Sequence, residues 1–341
     1  MSLAALSLLI VGLALPVAVA AAAPASWGWV VARHATTAHY VPAAKDQGSS
    51  GGGHSNSVTR LSPGNYQVDL PGVDTGNGGD VQVSALGSSA RFCNASQWGP
   101  GESTGLISLT VLCFNLSGSQ IDSAFTALYV ARGFDSTGVM AYAWADQPTS
   151  TDYSPHPFYQ VPGSITIHRS APGSYVVRIP TGDATHGNIQ VTGYGSTYCK
   201  AGDSDTDGSA MLVAVICPAG DAQFEILYTK GVGMTSVHRA KAAYLRTQPV
   251  EAGPIQLPAA FRYSSTGSTP QISHTGEGTY VVTLPGMPKG GYAKVTARGN
   301  TYYVCWLTKI RTSGTPQKIG VKCTTNTGSP QDTAFDLSYT K

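Results

Sequence analysis

The sequence Gly64-Asn65-Tyr66-Gln67-Val68-Asp69-Leu70-Pro71 decides the fold, because the same alternating pattern recurs twice. The second copy is Gly-Ser-Tyr-Val-Val-Arg-Ile-Pro at 173–180, and the third is Gly-Thr-Tyr-Val-Val-Thr-Leu-Pro at 278–285. Every second side chain along each copy is apolar, which is typical of a β-strand with one buried face. No segment carries a sustained helical period, so the sequence predicts an all-β protein made of repeated units.

The cysteines give the length of the repeat. Cys93, Cys199 and Cys305 are 106 residues apart each time, and a Phe-x-x-x-Tyr run closes each unit at 125–129, 224–228 and 335–339. A period of this length is longer than a solenoid repeat and equals a whole small domain. We therefore expect three tandem β-sandwich-like domains of immunoglobulin size, each with about seven strands and one cross-strand disulfide. They are unit 1 (26–138), unit 2 (139–240) and unit 3 (241–341).

The joints between the units are rich in glycine, at 133–138 and at 231–234. Such joints predict that few contacts cross from one unit to the next. On this interpretation the three units fold separately and melt as separable domains.

The positions of the six cysteines predict how they pair. Cys93 and Cys113 are equidistant from Ser103, Cys199 and Cys217 from Gly208, and Cys305 and Cys323 from Gly314, all within turn-forming sequence. Two residues that are equidistant from a turn face each other across an antiparallel hairpin. We expect three disulfides, one within each unit. Metal ligation is the alternative, but no unit has a second cysteine pair and no histidine lies within two residues of a cysteine.

The N-terminus predicts export. Residues 3–23 are almost all Leu, Ala, Val and Ile, and Ala23-Pro24-Ala25 follows with small residues. This pattern resembles a secretory signal peptide over 1–25, although no Lys or Arg precedes Arg33. An uncleaved membrane anchor is the alternative, because about 20 apolar residues can span a bilayer. Disulfides within each unit also favour an extracellular protein.

Several of these motifs together resemble the repeat of secreted proteins of unknown function from high-GC soil bacteria. The carriers are Gly64–Val68, Gly78–Val83, Cys113–Asn115, Asp122–Tyr129 and Ala141–Trp144. Unit 3 departs from the pattern, with Lys294 where unit 1 has Gln82. The resemblance implies export and an all-β repeat. It brings no known activity and no site residues.

One segment suggests a metal site. Asp203, Asp205 and Asp207 alternate ahead of Gly208, as the first ligands of a calcium loop do. The position of the bidentate glutamate holds Ala214 instead, and flanking helices are not predicted. A weak calcium site is therefore one hypothesis, and a polar hairpin tip is the other; no further cofactor is expected. The Gly101–Gly105 segment formally matches the Gly-x-Ser-x-Gly nucleophile motif, but we interpret it as a turn between two strands.

Charge distinguishes the third unit from the other two. Residues 241–341 carry 11 Lys and Arg against 4 Asp and Glu, a net charge of +7, whereas the whole chain carries +2. Alternation along the strands predicts an outward patch that could attract an anionic polymer, formed by Lys294, Arg298, Lys318 and Lys322. The alternative is a solubilising surface. Trp98, Trp144 and Trp306 are similarly open to two interpretations, as core residues or as platforms for sugar rings.

These observations favour an exported, non-catalytic protein that binds or adheres to a cell surface, a glycan or an anionic polymer. Repetition favours binding, because tandem copies raise avidity without new contacts. A secreted hydrolase with an active site not visible in the sequence is one alternative, and a structural spacer in the cell envelope is another. No specific nucleic-acid partner is predicted. A membrane partner is expected only if the N-terminus is an anchor, and the sequence predicts no oligomeric state.

Overall fold

The computed structural model describes residues 25–74, 76, 78–131, 138–181, 186–235, 240–248, 254–255 and 257–341. The predicted signal segment therefore lies outside the described residues, except for Ala25. Within them the chain forms strands and three short 3-10 helices, which confirms the all-β prediction. Among the described residues no helix is long and apolar enough to cross a membrane.

Each unit contributes nine strands, two more than predicted, because two or three residues at the sheet edges pair as very short strands. Unit 1 contains β1 (Ser26–Ala32), β2 (His39–Tyr40), β3 (Gln47–Ser49), β4 (Ser57–Ser62), β5 (Asn65–Pro71), β6 (Asp80–Leu86), β7 (Arg91–Pro100), β8 (Leu106–Asn115) and β9 (Ala124–Ala131). Unit 2 contains β10 (Val139–Ala145), β11 (Asp152–Tyr153), β12 (Gln160–Val161), β13 (Thr166–Ala171), β14 (Ser174–Ile179), β15 (Asn188–Gly193), β16 (Lys200–Thr206), β17 (Met211–Ile216) and β18 (Phe224–Lys230). Unit 3 contains β19 (Ala242–Arg246), β20 (Pro254–Ile255), β21 (Arg262–Ser264), β22 (Gln271–Gly276), β23 (Thr279–Leu284), β24 (Tyr292–Ala297), β25 (Tyr303–Ile310), β26 (Gln317–Thr325) and β27 (Phe335–Thr340). The 3-10 helices are Ala44–Asp46, Pro157–Tyr159 and Ala259–Phe261.

Each unit is a sandwich of an inner and an outer sheet, and the strand order is the same three times. The inner sheets have the orders β3-β1-β9-β6, β12-β10-β18-β15 and β21-β19-β27-β24. The outer sheets have the orders β2-β4-β5-β8-β7, β11-β13-β14-β17-β16 and β20-β22-β23-β26-β25. The outer sheet of unit 3 also joins the inner sheet of unit 1, because Leu307 pairs in parallel with Leu86.

The repeated Gly-x-Tyr stretch builds one corner of each sandwich. Gly64 has φ 70°, which favours glycine, and its N–H donates to the Asp122 carboxylate at 3.0 Å. The Tyr66 hydroxyl lies 3.1 Å from the same carboxylate, and Arg60 pairs with it at 2.8 Å. The Arg60 guanidinium holds the pKa of Asp122 down at about 2. Units 2 and 3 repeat the corner with Asp221 and Asp332, so these carboxylates are structural.

The three predicted disulfides are present, and all six cysteine side chains are buried. The Cα–Cα distance is 4.0 Å between Cys93 and Cys113, 4.2 Å between Cys199 and Cys217, and 4.1 Å between Cys305 and Cys323. Among the described residues no cysteine is free. Metal ligation, the alternative for these cysteines, does not fit, because each sulfur is bonded to its partner across the hairpin.

The disulfides differ in how they sit in the strands. In units 1 and 3 the two cysteines are direct partners in the strand register, as their distance from the turn predicts. In unit 2 the two cysteines lie outside the strand register. The last backbone pair is Lys200 with Ile216, so Cys199 and Cys217 lie one residue beyond the ends of β16 and β17. The disulfide closes that hairpin just outside its hydrogen-bonded ladder.

The second cysteine of each unit also joins the disulfide to the Gly-x-Tyr corner. Its backbone N–H donates to the carbonyl of the corner glycine at 2.8 Å in all three units. The pairs are Cys113 with Gly64, Cys217 with Gly173, and Cys323 with Gly278. Residues 101–105 form the turn between β7 and β8, with no helix after them, so they are not a nucleophile elbow.

The prediction of few contacts between units is wrong. The strands β6, β15 and β24 are buried along their whole length, because the inner sheets of the three units pack against one another. One apolar cluster contains Leu128 of unit 1, Leu227 of unit 2 and Leu337 of unit 3. Val232 and Met234 of the second joint are buried in the same cluster, whereas the first joint lies outside the described residues except for Gly138. The units therefore share this cluster, while units 1 and 2 each also have a core cluster of their own.

Hydrogen bonds around the centre repeat in cyclic order. In each case a valine N–H of one unit donates to a serine or threonine hydroxyl of the next, and unit 3 connects back to unit 1. The three bonds are Val83 to Thr192 (3.0 Å), Val191 to Thr296 (3.0 Å) and Val295 to Ser84 (3.1 Å). The chain thus closes on itself as an arrangement of three units with approximate threefold equivalence.

The outer sheets close the same cycle. The residue that follows the first cysteine of each unit donates a side-chain hydrogen bond to a backbone carbonyl of the next unit. The pairs are Asn94 with Gly195 (3.0 Å), Lys200 with Gly299, and Trp306 with Gly87 (3.0 Å). Three different donors thus make the same connection at one position of the repeat.

Candidate functional site

The cyclic arrangement creates three equivalent boundaries, which we call the 1–2, 2–3 and 3–1 boundaries. Each is built from five corresponding positions. One lies five residues after the first cysteine of one unit. The other four belong to the next unit. They are a residue on its first strand, the register partner of that residue on its last strand, the last residue of its 3-10 helix, and a residue at the end of its sixth strand. The five are Trp98, Trp144, Glu225, Tyr159 and Tyr194 at the 1–2 boundary; Ser204, Arg246, Asp336, Phe261 and Arg298 at the 2–3 boundary; and Ile310, Val31, Thr126, Asp46 and Leu86 at the 3–1 boundary.

The 2–3 boundary contains a cavity of about 560 Å³. Arg246, Arg298, Phe261 and Ser204 line it, together with Tyr303 at one wall. Ser204 is small where the other two boundaries have Trp98 and Ile310, so this position leaves space that a larger side chain would fill. The cavity is within the ~300–1,000 Å³ typical of small-ligand sites.

Two nearly buried arginines share one buried carboxylate in this cavity. Arg298 Nη1 lies 2.8 Å from Asp336 Oδ2, and Arg246 Nε lies 3.4 Å from Asp336 Oδ1. The side chains of Arg246 and Arg298 are 7% and 8% exposed, and Asp336 is fully buried. Burial lowers the pKa of Arg246, but Asp336 opposes this effect and favours the charged form. Two cations against one anion leave the base of the cavity with one net positive charge.

The guanidinium groups are only partly satisfied. Both donate to Ser204 Oγ, from Arg246 Nη1 at 3.4 Å and from Arg298 Nη2 at 3.0 Å. Arg246 Nη2 is buried and has no hydrogen-bond acceptor among the described residues. The Phe261 ring covers this guanidinium, with 5.4 Å between Arg246 Cζ and the ring centroid. An unpaired donor of a buried cation is costly, so an acceptor supplied from outside would stabilise the site.

Acidic and neutral polar groups surround the entrance. Asp203 and Asp332 line the cavity, as do Asn300 and Gln248. The Asn300 amide donates to Asp203 Oδ2 at 2.6 Å, which fixes that carboxylate beside the opening. The cavity therefore combines a cationic base with a rim of hydrogen-bonding groups.

The 1–2 boundary is filled by aromatic rings instead. Trp144 packs on Tyr159 at 4.6 Å and on Tyr194 at 5.2 Å between ring centroids, and Trp98 lies 6.0 Å from Trp144. The Trp98 indole N–H donates to Glu225 Oε1 at 2.6 Å. Trp98 and Trp144 are half-buried, and Trp306 is buried, so all three contribute to packing.

A buried pair of carboxyl groups lies beneath these rings. Asp80 and Glu225 are both fully buried, and they are hydrogen-bonded to each other. Burial raises the pKa of Asp80 to about 7 and raises the pKa of Glu225 well above its usual range. Burial and the neighbouring Asp80 therefore both disfavour the charged form of Glu225. The corresponding pair at the 2–3 boundary is Asn188 and Asp336, in which the amide donates at 3.2 Å.

The 3–1 boundary is mainly apolar. Val31, Leu86 and Ile310 are buried in the shared cluster. Asp46 is paired with Arg33 at 2.9 Å, so the polar group at this boundary is neutralised within unit 1.

The predicted basic patch does not exist as a surface. Lys294 and Arg298 are buried, because the polar face of β24 points toward the other units and not toward solvent. Lys294 Nζ donates to the Val191 carbonyl of unit 2 at 2.8 Å, and burial lowers its pKa to about 7. Lys318 and Lys322 lie on β26, in the other sheet of the sandwich. Arg298 alone of the four lines the cavity.

The aspartates proposed for calcium do not form a loop around a common point. Asp203 and Asp205 lie on β16, and the Asp207 carboxylate is used to cap the hairpin. It accepts the N–H groups of Ser209 and Ala210 at 2.8 Å and pairs with Arg178. In the part of the chain that the structure describes, no group of three or more His, Cys, Asp or Glu side chains could hold a metal ion.

Sequence reasoning named Arg298 but missed Arg246 and Phe261. A position-by-position comparison of the repeats contains the signal, because Arg246 corresponds to Val31 in unit 1 and to Trp144 in unit 2. No family model matches this chain, and no curated protein or solved structure matches it.

Proposed function

We propose that this is an exported, non-catalytic protein that binds an anionic group of an extracellular ligand in the cavity at the 2–3 boundary. The observation that carries the proposal is the pair of nearly buried arginines that line an open cavity. At the same positions the other two boundaries hold apolar or aromatic side chains that pack together.

The energetics of this arrangement support a ligand. Well-packed apolar residues are often as stabilising as a buried ion pair, or more so. The 3–1 boundary contains such packing, with Val31 and Leu86 where the 2–3 boundary has Arg246 and Arg298. Two buried cations with one buried anion do not improve the packing, but the cation that is not neutralised can pair with an anionic ligand.

Export is supported by two independent features. Three disulfides favour an oxidising, extracellular setting. The apolar segment of residues 3–23 resembles a signal peptide. Adhesion to a surface is compatible with the same site, since an immobilised acidic glycan offers the same group many times.

A hydrolase is less well supported by the groups near the cavity. Asp332 lines the cavity and pairs with His274 at 2.8 Å. The same carboxylate accepts the N–H of Gly278, and Asp122 and Asp221 do the same in the other units with arginine partners. An equivalent carboxylate forms the same corner in all three units, so the fold alone explains the presence of Asp332.

The test is retention of the full chain on immobilised acidic polysaccharide at low and high salt. Ser204→Trp places in this boundary the side chain that unit 1 has at the equivalent position, and should abolish retention by filling the cavity. Arg178→Gln is the matched control, because it removes one partly exposed arginine of unit 2 that does not line the cavity. Equal loss in both variants, or no loss in Ser204→Trp, would contradict binding in the cavity.

A further inference from the structure

The chemistry of the cavity narrows the ligand beyond the statement that it is anionic. Its base carries one net positive charge, because Arg246 and Arg298 share Asp336. Its rim carries two carboxylates, Asp203 and Asp332. A polymer of high charge density, such as a polyphosphate or a sulfated chain, would bring several negative charges close to the rim and be repelled. A ligand with one negative charge would neutralise the base and leave the rim available.

The shape of the cationic groups favours a carboxylate. A guanidinium presents N–H groups in a planar fork that matches the two oxygens of a carboxylate. Arg298 already uses one arm of its fork on Asp336 and the other on Ser204. Arg246 is held less tightly, with Nε at 3.4 Å from Asp336 and Nη2 without an acceptor among the described residues. Arg246 is therefore the group that a ligand carboxylate would satisfy.

The rim is suited to hydroxyl groups. Asp203 is held by Asn300 and can accept hydrogen bonds from hydroxyls, and Gln248, Thr301 and the Asn300 carbonyl offer donors and acceptors. Phe261 and Tyr303 supply half-buried aromatic faces against which the C–H face of a ring can pack.

We infer that the cavity binds a carboxylated, hydroxyl-rich sugar residue, of the uronic acid type, with the carboxylate toward Arg246 and Arg298 and the hydroxyls toward the rim. This inference rests on the proposed function. It adds the class of ligand and the group of the ligand that is recognised.

The experiment compares four probes by isothermal titration of the full chain. They are an oligosaccharide of uronic acid residues, the same oligosaccharide with its carboxylates methyl-esterified, inorganic polyphosphate and sulfated dextran. We expect the uronic acid oligosaccharide to bind and the ester to bind at least tenfold more weakly. Arg246→Gln should weaken uronate binding by a similar factor, since Asp336 keeps Arg298 as its partner. Phe261→Leu should weaken both sugars, and Arg178→Gln should change neither.

The outcomes separate the two proposals. Binding of polyphosphate or sulfated dextran that depends on Arg246, without binding of the uronate, would overturn the carboxylate inference and keep the proposed function. Equal binding of the uronate and its ester would also overturn it. Binding of none of the probes would overturn both. Thermal unfolding of each variant is measured in parallel. If Arg246→Gln does not fold, the comparison of the uronate with its ester on the unmodified protein still tests the carboxylate, and Phe261→Leu tests whether the sugars bind in the cavity.

Discussion

The 1–2 and 2–3 boundaries occupy equivalent places in the molecule, but side chains fill the space at the first and leave a cavity at the second. At the first, Trp98, Trp144 and their aromatic neighbours fill the space above the buried carboxyl group of Glu225, whose pKa burial raises. At the second, Ser204 leaves the space open above two arginines. The strand order is the same at both boundaries, and the five side chains at corresponding positions differ. Function in this fold can thus arise by substitution at one boundary without change to the other two.

The largest expected difference in stability concerns the acidic residue at one equivalent position, which is Asp336 at the 2–3 boundary and Glu225 at the 1–2 boundary. Asp336→Asn leaves Arg246 and Arg298 buried without a carboxylate and should cost about 3–5 kcal/mol of unfolding free energy. Glu225→Gln at the equivalent position should cost less than about 1 kcal/mol, because burial and Asp80 already disfavour the charged form of Glu225 and a neutral amide replaces it. Urea unfolding at pH 7 measures both. Similar losses in the two variants would mean that the boundaries are electrostatically alike.

A second experiment exchanges the residue that fills or opens the space. Trp98→Ser should open the 1–2 boundary and cost about 2–3 kcal/mol, below the ~3–5 kcal/mol of a fully buried tryptophan, because Trp98 is half-buried. Chemical denaturation measures the loss, and a crystal structure of the variant would reveal the new cavity. An unchanged midpoint would mean that the aromatic side chains do not hold units 1 and 2 together.

The buried carboxyl pair predicts a dependence on pH at the 1–2 boundary. The raised pKa of Asp80, about 7, means that the folded chain binds its proton more tightly than the unfolded chain does. The contribution of Asp80 to stability is therefore fully present below about pH 4 and is lost as pH rises toward 7. Asp80→Asn places in unit 1 the residue that unit 2 has as Asn188, and it should remove this loss. The unfolding free energy of the variant, relative to that of the wild type, should therefore rise by at least ~1 kcal/mol from pH 4.5 to pH 7.5. Stability curves at several pH values test it, and parallel curves for the two proteins would contradict the shared proton.

The smallest effect is expected from the lysines of the outer sheet of unit 3. Lys318→Gln with Lys322→Gln should change the unfolding free energy by no more than about 0.5 kcal/mol and should leave retention on acidic polysaccharide unchanged. These residues lie outside the cavity, so their charge contributes only screened, long-range attraction. Loss of retention in the double variant would move the binding site from the 2–3 boundary to the surface of unit 3.

The sequence was sufficient for the fold of one unit and for its disulfide, because both depend on local pattern. Alternation in Gln67–Pro71 and the distance of Cys93 and Cys113 from one turn involve at most about 20 residues of chain. The association of the units depends on partners more than 100 residues apart, such as Thr192 and Gln82. Polar residues that alternate along a strand indicate a solvent-facing side, and Gln82, Gln190 and Lys294 follow that pattern although they are buried. Their partners belong to other units, so no local rule could identify them.

The candidate site was only partly predictable for the same reason. Its charge makes Arg298 a candidate in the sequence, but as part of a surface with Lys294, Lys318 and Lys322. Arg246 lies on the first inner strand of unit 3, where the sequence offers it no acidic neighbour. Its relation to Asp336, 90 residues away, is created by the pairing of β19 with β27.

The three different donors that follow the first cysteines, Asn94, Lys200 and Trp306, have a consequence for how such a molecule can diversify. An assembly of three identical separate chains would carry every mutation three times, and a cavity opened at one interface would be opened at all of them. Covalent linkage removes this symmetry constraint, because each interface is encoded by its own residues. It also holds neighbouring units at high effective concentration, so that a weak interface stays formed. A linked chain can therefore hold one asymmetric site per molecule and bind one ligand group with one copy of the protein.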